Sequence, residues 1–146
     1  MNIDILCQLL AEKINPEKFQ FRGAEIKWLI EPTSEELEIV DDVIKNYKAL
    51  EESYLREKRK EKTIVLVQAF MDAKAQEYGY DHILSATSYV TSTFPKFKAE
   101  GIAFAKWRDD VWLYCYSVLA EWEAGTSKIT TEDELIASLP EFIVEY

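Results

Sequence analysis

The chain has 146 residues, 48% of them hydrophobic, which suffices for one substantial core but not for two ordinary domains. Its 27 acidic and 17 basic residues leave a net charge of −10, which opposes binding to nucleic acid or to an anionic membrane because like charges repel. The expectation is one acidic domain over residues 1–146, with a helix and hairpin subregion at 1–32 and a helical subregion at 33–146.

The N-terminal stretch carries Asp4 ahead of its apolar residues and has no basic segment, so it is not expected to be a signal peptide. Leu6, Leu9, Leu10 and Ile14 recur at helical spacing, and Asn15-Pro16 stops the helix. Phe19 and Phe21, then Ile26, Trp28 and Ile30, alternate on either side of Arg22-Gly23. This pattern predicts a small β-hairpin, with Trp28 in a structural role.

Pro32 ends the hairpin, and Thr33 with Glu36 forms a capping box that opens a long helix. Val40, Val43, Ile44, Tyr47, Leu50, Tyr54 and Leu55 fall on one stripe. Too few heptads are present for a coiled coil, so the stripe is expected to pack on the chain's own last helix. It vanishes over Arg56–Thr63 and returns at Ile64–Ala75, which gives one very long helix or two joined by a charged break. Acids interleave with Arg56, Lys58, Arg59, Lys60 and Lys62 at helical spacing, so this basic run reads as an exposed, salt-bridged turn rather than a site for an acidic partner.

Gly79 is placed to end that helix and Asp81 to cap a short one reaching about Val90. Thr93 with Pro95 then opens the last long helix, Pro95–Ala124. Phe97, Phe104, Val111, Cys115, Val118, Leu119 and Trp122 share one face of it, flanked by Trp107 and Tyr114 on one margin and by Trp112 and Tyr116 on the other. An apolar arc of this width exceeds what a one-sided surface helix needs. Trp107, Trp112, Tyr114, Tyr116 and Trp122 are therefore the candidate interaction surface, for a partner protein or a second copy of the chain. Arg108 lies within the arc and is expected to pair with a carboxylate from another element as a buried ion pair, or else to point into an interface. Gly101 costs helix stability unless another helix crosses it closely, and the small residues Ser85, Ala86 and Ser88 offer such a surface. Thr131 with Glu134 caps a final short helix, and the apolar tail after Pro140 is placed to dock as an extended strand.

These elements define a mainly α protein with a small N-terminal β-hairpin (α+β), built as a long-helix bundle. No catalytic constellation, metal set or cofactor motif is legible. His82 is the only histidine and sits beside the expected cap Asp81, neither Cys7 nor Cys115 lies in a ligand motif, and no phosphate-cradling glycine loop occurs. Free thiols fit a reducing cytoplasm. The longest apolar run, Val111–Ala120, is about half a membrane span. The chain is expected not to be an enzyme, to bind no cofactor and to avoid nucleic acid and membranes.

Two stretches resemble small proteins encoded among the tail genes of tailed bacteriophages and prophages. One is INPEKFQFRGAEIKWLIEPTSEELE, with its Asn-Pro, Arg-Gly, Ile-Lys-Trp and Pro-Thr-x-x-Glu-Leu features; the other runs from Gly79-Tyr80-Asp81 through Glu100-Gly101 and Trp107-Arg108-Asp109 to Gly125, with Leu139-Pro140 beyond it. The resemblance implies a protein working beside the tail fibre or baseplate in the bacterial host cytoplasm, as an assembly chaperone. Its alternatives are a structural subunit retained in the virion tail and a small acidic inhibitor of a host defence protein.

Overall fold

The computed structural model describes residues 1–146 and confirms a mainly α protein with one small antiparallel hairpin near the N-terminus. The chain forms two compact units, Met1–Glu61 and Lys62–Tyr146.

In the first unit, helix α1 (Ile3–Ala11) starts where the Asn2 side chain accepts hydrogen bonds from the amides of Asp4 and Ile5. It buries Ile5, Leu6, Leu9 and Leu10. Asn15 caps a 3-10 turn at Pro16–Lys18, which leads into β1 (Phe19–Arg22) and β2 (Glu25–Trp28). The register sets Phe19 opposite Trp28 and Phe21 opposite Ile26, so the four apolar side chains line one face of the hairpin. Gly23, at φ +65°, supplies the left-handed residue that opens the tight turn. Phe19 and Trp28 meet edge to face at 6.0 Å.

Helix α2 (Ser34–Lys45) begins with the capping box formed by Thr33 and Glu36. Lys18 Nζ lies 2.6 Å from Glu36 Oε1, tying the hairpin to the start of α2. This bond and the Thr33 amide hold the Glu36 carboxyl below its ordinary pKa. Asn46 separates α2 from α3 (Tyr47–Glu77), its side-chain amide donating to the Asp42 carbonyl and carboxylate. The break therefore falls at Asn46 and not in the charged run, which stays helical with Lys58–Glu61 at 2.9 Å and Lys60–Glu57 at 4.0 Å.

The stripe on α2 and early α3 packs on α1 and the hairpin, with Val43 and Tyr47 buried and Val40, Leu50 and Tyr54 partly so. The boundary between the two compact units falls between Glu61 and Lys62, inside α3. The physical reason is the charged run itself: Arg56–Thr63 offers no apolar side chain to join either core.

In the second unit, Val67, Met71 and Ala75 present the buried face of α3. Gly79, at φ +87°, turns the chain, and the Tyr80 amide returns to the Ala75 carbonyl. Helix α4 (Ile83–Thr87) is capped by His82, whose Nδ1 accepts from the Ser85 amide, rather than by Asp81. Asp72 on α3 accepts from the Ile83 amide at 2.9 Å, and the Asp81 carbonyl accepts from Gln76, so the start of α4 is set by contacts with α3. A 3-10 turn at Ser88–Thr91 follows. Helix α5 (Pro95–Ala124) has Phe94 at its N-cap without a side-chain bond, Pro95 in its first turn and Gly125 as a left-handed C-cap. Thr93 therefore plays no capping part.

Helix α6 (Glu132–Ala137) carries the expected Thr131–Glu134 capping box. The segment beyond Leu139 forms no strand and docks through side chains instead.

Gly101 is where α5 meets the 3-10 turn. A Cβ there would stand 2.5 Å from both the Tyr89 carbonyl carbon and the Val90 nitrogen. The close approach at Gly101 is made by the backbone of Tyr89 and Val90 in the 3-10 turn, where the expected partners were the small side chains of Ser85, Ala86 and Ser88. Gly101→Ala is expected to destabilise the protein by about 1–3 kcal/mol even though alanine is the better helix former. Thermal unfolding measures this, and an unchanged or higher midpoint would refute the crossing.

Candidate functional site

Helix α5 organises the second unit through one side of its surface. Glu100, Gly101, Phe104, Trp107, Val111, Cys115 and Val118 are buried at helical spacing. Around Phe104 the aromatic rings interlock: Phe142 stacks on it at 4.1 Å, while Tyr78 and Tyr80 meet it edge-on at 5.5 and 5.9 Å.

Glu100 is the one buried charged side chain, with 3% of its surface exposed. Its Oε2 accepts from the Tyr80 hydroxyl at 2.6 Å, and its Oε1 accepts from the Tyr146 hydroxyl at 2.8 Å, with Lys96 Nζ at 3.8 Å. Both oxygens are engaged, so the carboxylate acts as a clasp joining α5 to the chain on either side of it. Burial, then the bond to Glu100, raises the Tyr80 pKa; the Glu100 bond, then burial, raises that of Tyr146.

The candidate interaction residues are dispersed by the fold. Trp107 is only 4% exposed and donates its indole N–H to the Pro140 carbonyl at 2.7 Å, so it belongs to the core and not to a surface. Trp112 and Tyr114 are half-buried against that core. Trp122 is also half-buried and donates to the Ile129 carbonyl. Tyr116 is open, at 65% exposure.

Arg108 is corrected too. Its guanidinium reaches the edge of the helix and pairs with the adjacent Asp109 at 2.9 Å, not with a buried carboxylate from another element. Arg108 sits at the margin of the buried stripe, where its long stem carries the charge to water.

Two features were missed from the sequence. Glu100 stands four residues before Phe104 and seven before Trp107, a carboxylate on the apolar stripe, and that helical spacing was the available signal. The other is the pair Ile102 and Leu113 on the outer face of α5, both exposed and near whole-turn spacings of each other and of the expected Tyr116. Ile102 also lines a groove with Ala99, Ala103, Lys106, Ile143 and Glu145.

The Cys115 thiol is pushed up to about 11 by burial, which keeps it protonated near neutrality and poorly nucleophilic. His82 is engaged as a helix cap, and no cluster of three or more His, Cys, Asp or Glu side chains is placed to hold a metal ion. No helix is long and apolar enough to cross a membrane. No protein-family model, curated protein or solved structure matches the chain.

A raised folded-state pKa makes a tyrosine contribute stability below its unfolded value near 10, and that contribution is lost as the pH rises above it. Urea unfolding is therefore expected to show stability falling between about pH 9 and pH 11, with a shallower fall in Tyr80→Phe. Equal slopes in the two proteins would remove Tyr80 from this role. Arg108→Ala is expected to change stability by less than about 1 kcal/mol, since its ion pair is near the surface; a larger loss in the same assay would indicate a buried charge.

Proposed function

We propose that the chain is a tail-associated protein of a tailed bacteriophage, an assembly chaperone that binds a tail-fibre or baseplate protein in the host cytoplasm. The observation that carries this reading is the outer face of α5. Ile102, Leu113 and Tyr116 remain exposed on a helix whose opposite face is already filled by Phe104, Trp107, Val111 and Val118. An exposed apolar face on a rigid helix suits a protein that shields apolar surface on a folding partner. The likeness of Ile14–Glu38 and Gly79–Gly125 to phage tail-operon proteins supplies the class of partner. The net charge of −10 supports solubility during assembly and disfavours competing contacts with nucleic acid.

The test is co-expression with the tail proteins encoded beside it, followed by affinity capture and assay of their soluble yield. The chain is expected to retain a fibre or baseplate protein, raise its soluble fraction and be missing from mature particles. Leu113→Lys with Tyr116→Lys should weaken capture by roughly tenfold or more without lowering the thermal midpoint, because both side chains point into solvent. Undiminished capture by the double variant would exclude this face, and presence in mature particles would favour a virion subunit instead.

A further inference from the structure

We propose that residues Pro140–Tyr146 form a strap that opens as a unit from an otherwise folded second unit, uncovering Phe104, Trp107 and Glu100. The segment forms no helix or strand, and none of its backbone groups is paired with another backbone group. Side-chain anchors hold it. The Pro140 carbonyl accepts from the Trp107 indole, the Phe142 ring stacks on Phe104, and the Tyr146 hydroxyl donates to Glu100.

Release of these anchors leaves no uncompensated buried charge. Glu100 keeps the Tyr80 hydroxyl at 2.6 Å and Lys96 at 3.8 Å when Tyr146 departs, and the edge of the site then opens to water. The Trp107 indole N–H exchanges its carbonyl partner for solvent. None of the helical hydrogen bonds of α3, α5 or α6 needs to break, so the opening is local and not a step of global unfolding. Ring stacking is the main opposing term.

Opening also changes the character of the surface. Closed, the strap contributes Ile143 and Glu145 to the groove beside Ile102, Ala103 and Lys106. Open, that groove loses one wall, and the aromatic site beneath Phe142 takes its place. The strap thus selects between two surfaces on the same helix, and it does so whether or not the chain serves a phage tail.

Hydrogen exchange of the full chain, followed by NMR at the Trp107 indole N–H, tests this. Assignment of that signal comes from its loss in Trp107→Phe. The indole is expected to exchange at least tenfold faster than the backbone amides of α5 between Phe104 and Val111. Tyr146→Phe, which removes only the hydroxyl, should accelerate it by a further tenfold or so while those amides keep their rates. Phe142→Leu should act in the same direction by weakening the stack. Equal exchange of indole and α5 amides in the unaltered chain would overturn the strap, as would an indole rate unmoved by both substitutions. Should either variant prove globally unstable, the ratio of rates in the unaltered chain still decides the matter.

Discussion

The second unit depends on two neighbouring residues of α5, Glu100 and Gly101. Gly101 lets the backbone of Tyr89 and Val90 approach to a distance that no side chain would permit, and this approach brings Tyr80 and Tyr89 over the start of α5. Glu100 then becomes buried and needs donors, which Tyr80 and Tyr146 provide. A steric permission and an electrostatic demand thus operate one residue apart. The glycine sets where the elements cross, and the carboxylate sets which hydroxyls must come with them. Phe104, one turn further along, gathers Tyr78, Tyr80, Trp107 and Phe142 around itself.

The first unit is held by a different device. Its apolar residues are mostly aliphatic, and polar clips at its edges hold the elements in register. The Tyr47 hydroxyl accepts from the Asn2 amide at 2.9 Å and donates to Glu51 at 2.6 Å, joining the start of α1 to the start of α3. Lys18 joins the hairpin to Glu36 in the capping box of α2. The same glutamate serves a local cap and a tertiary link, so the entry into α2 is set together with its position against the hairpin. These contacts explain why α2 belongs with the residues before it.

The functional reading follows from how α5 divides its surface. Most of the aromatic residues that widen its apolar arc are spent on the core, so an apolar count overstates the free surface. What remains open is a narrower face carrying Ile102, Leu113 and Tyr116. The exposed apolar face and the core are thus opposite sides of one helix, and the strap beside them links the state of one to the shape of the other.

Local rules were sufficient for the hairpin, the capping boxes at Thr33 and Thr131, the glycine turns and the long last helix, because each depends on residues within a turn or two of one another. The stripe on α5 was legible for the same reason, and so was the need for something to lie close to Gly101. Side-chain fates were not legible where several positions on one wheel were equivalent. Arg108 and Glu100 both lie on or beside the stripe, yet the long arginine reaches solvent beside Asp109 while the shorter glutamate is enclosed between two hydroxyls distant in sequence. Trp107 likewise depends on the Pro140 carbonyl, thirty-three residues away, for its burial. The sequence by itself determined which segments become helices and which faces are apolar, since those follow from propensity and period. Only the tertiary structure decided which apolar face meets which, where the chain divides and which charge is buried, because those outcomes depend on partners brought together by folding.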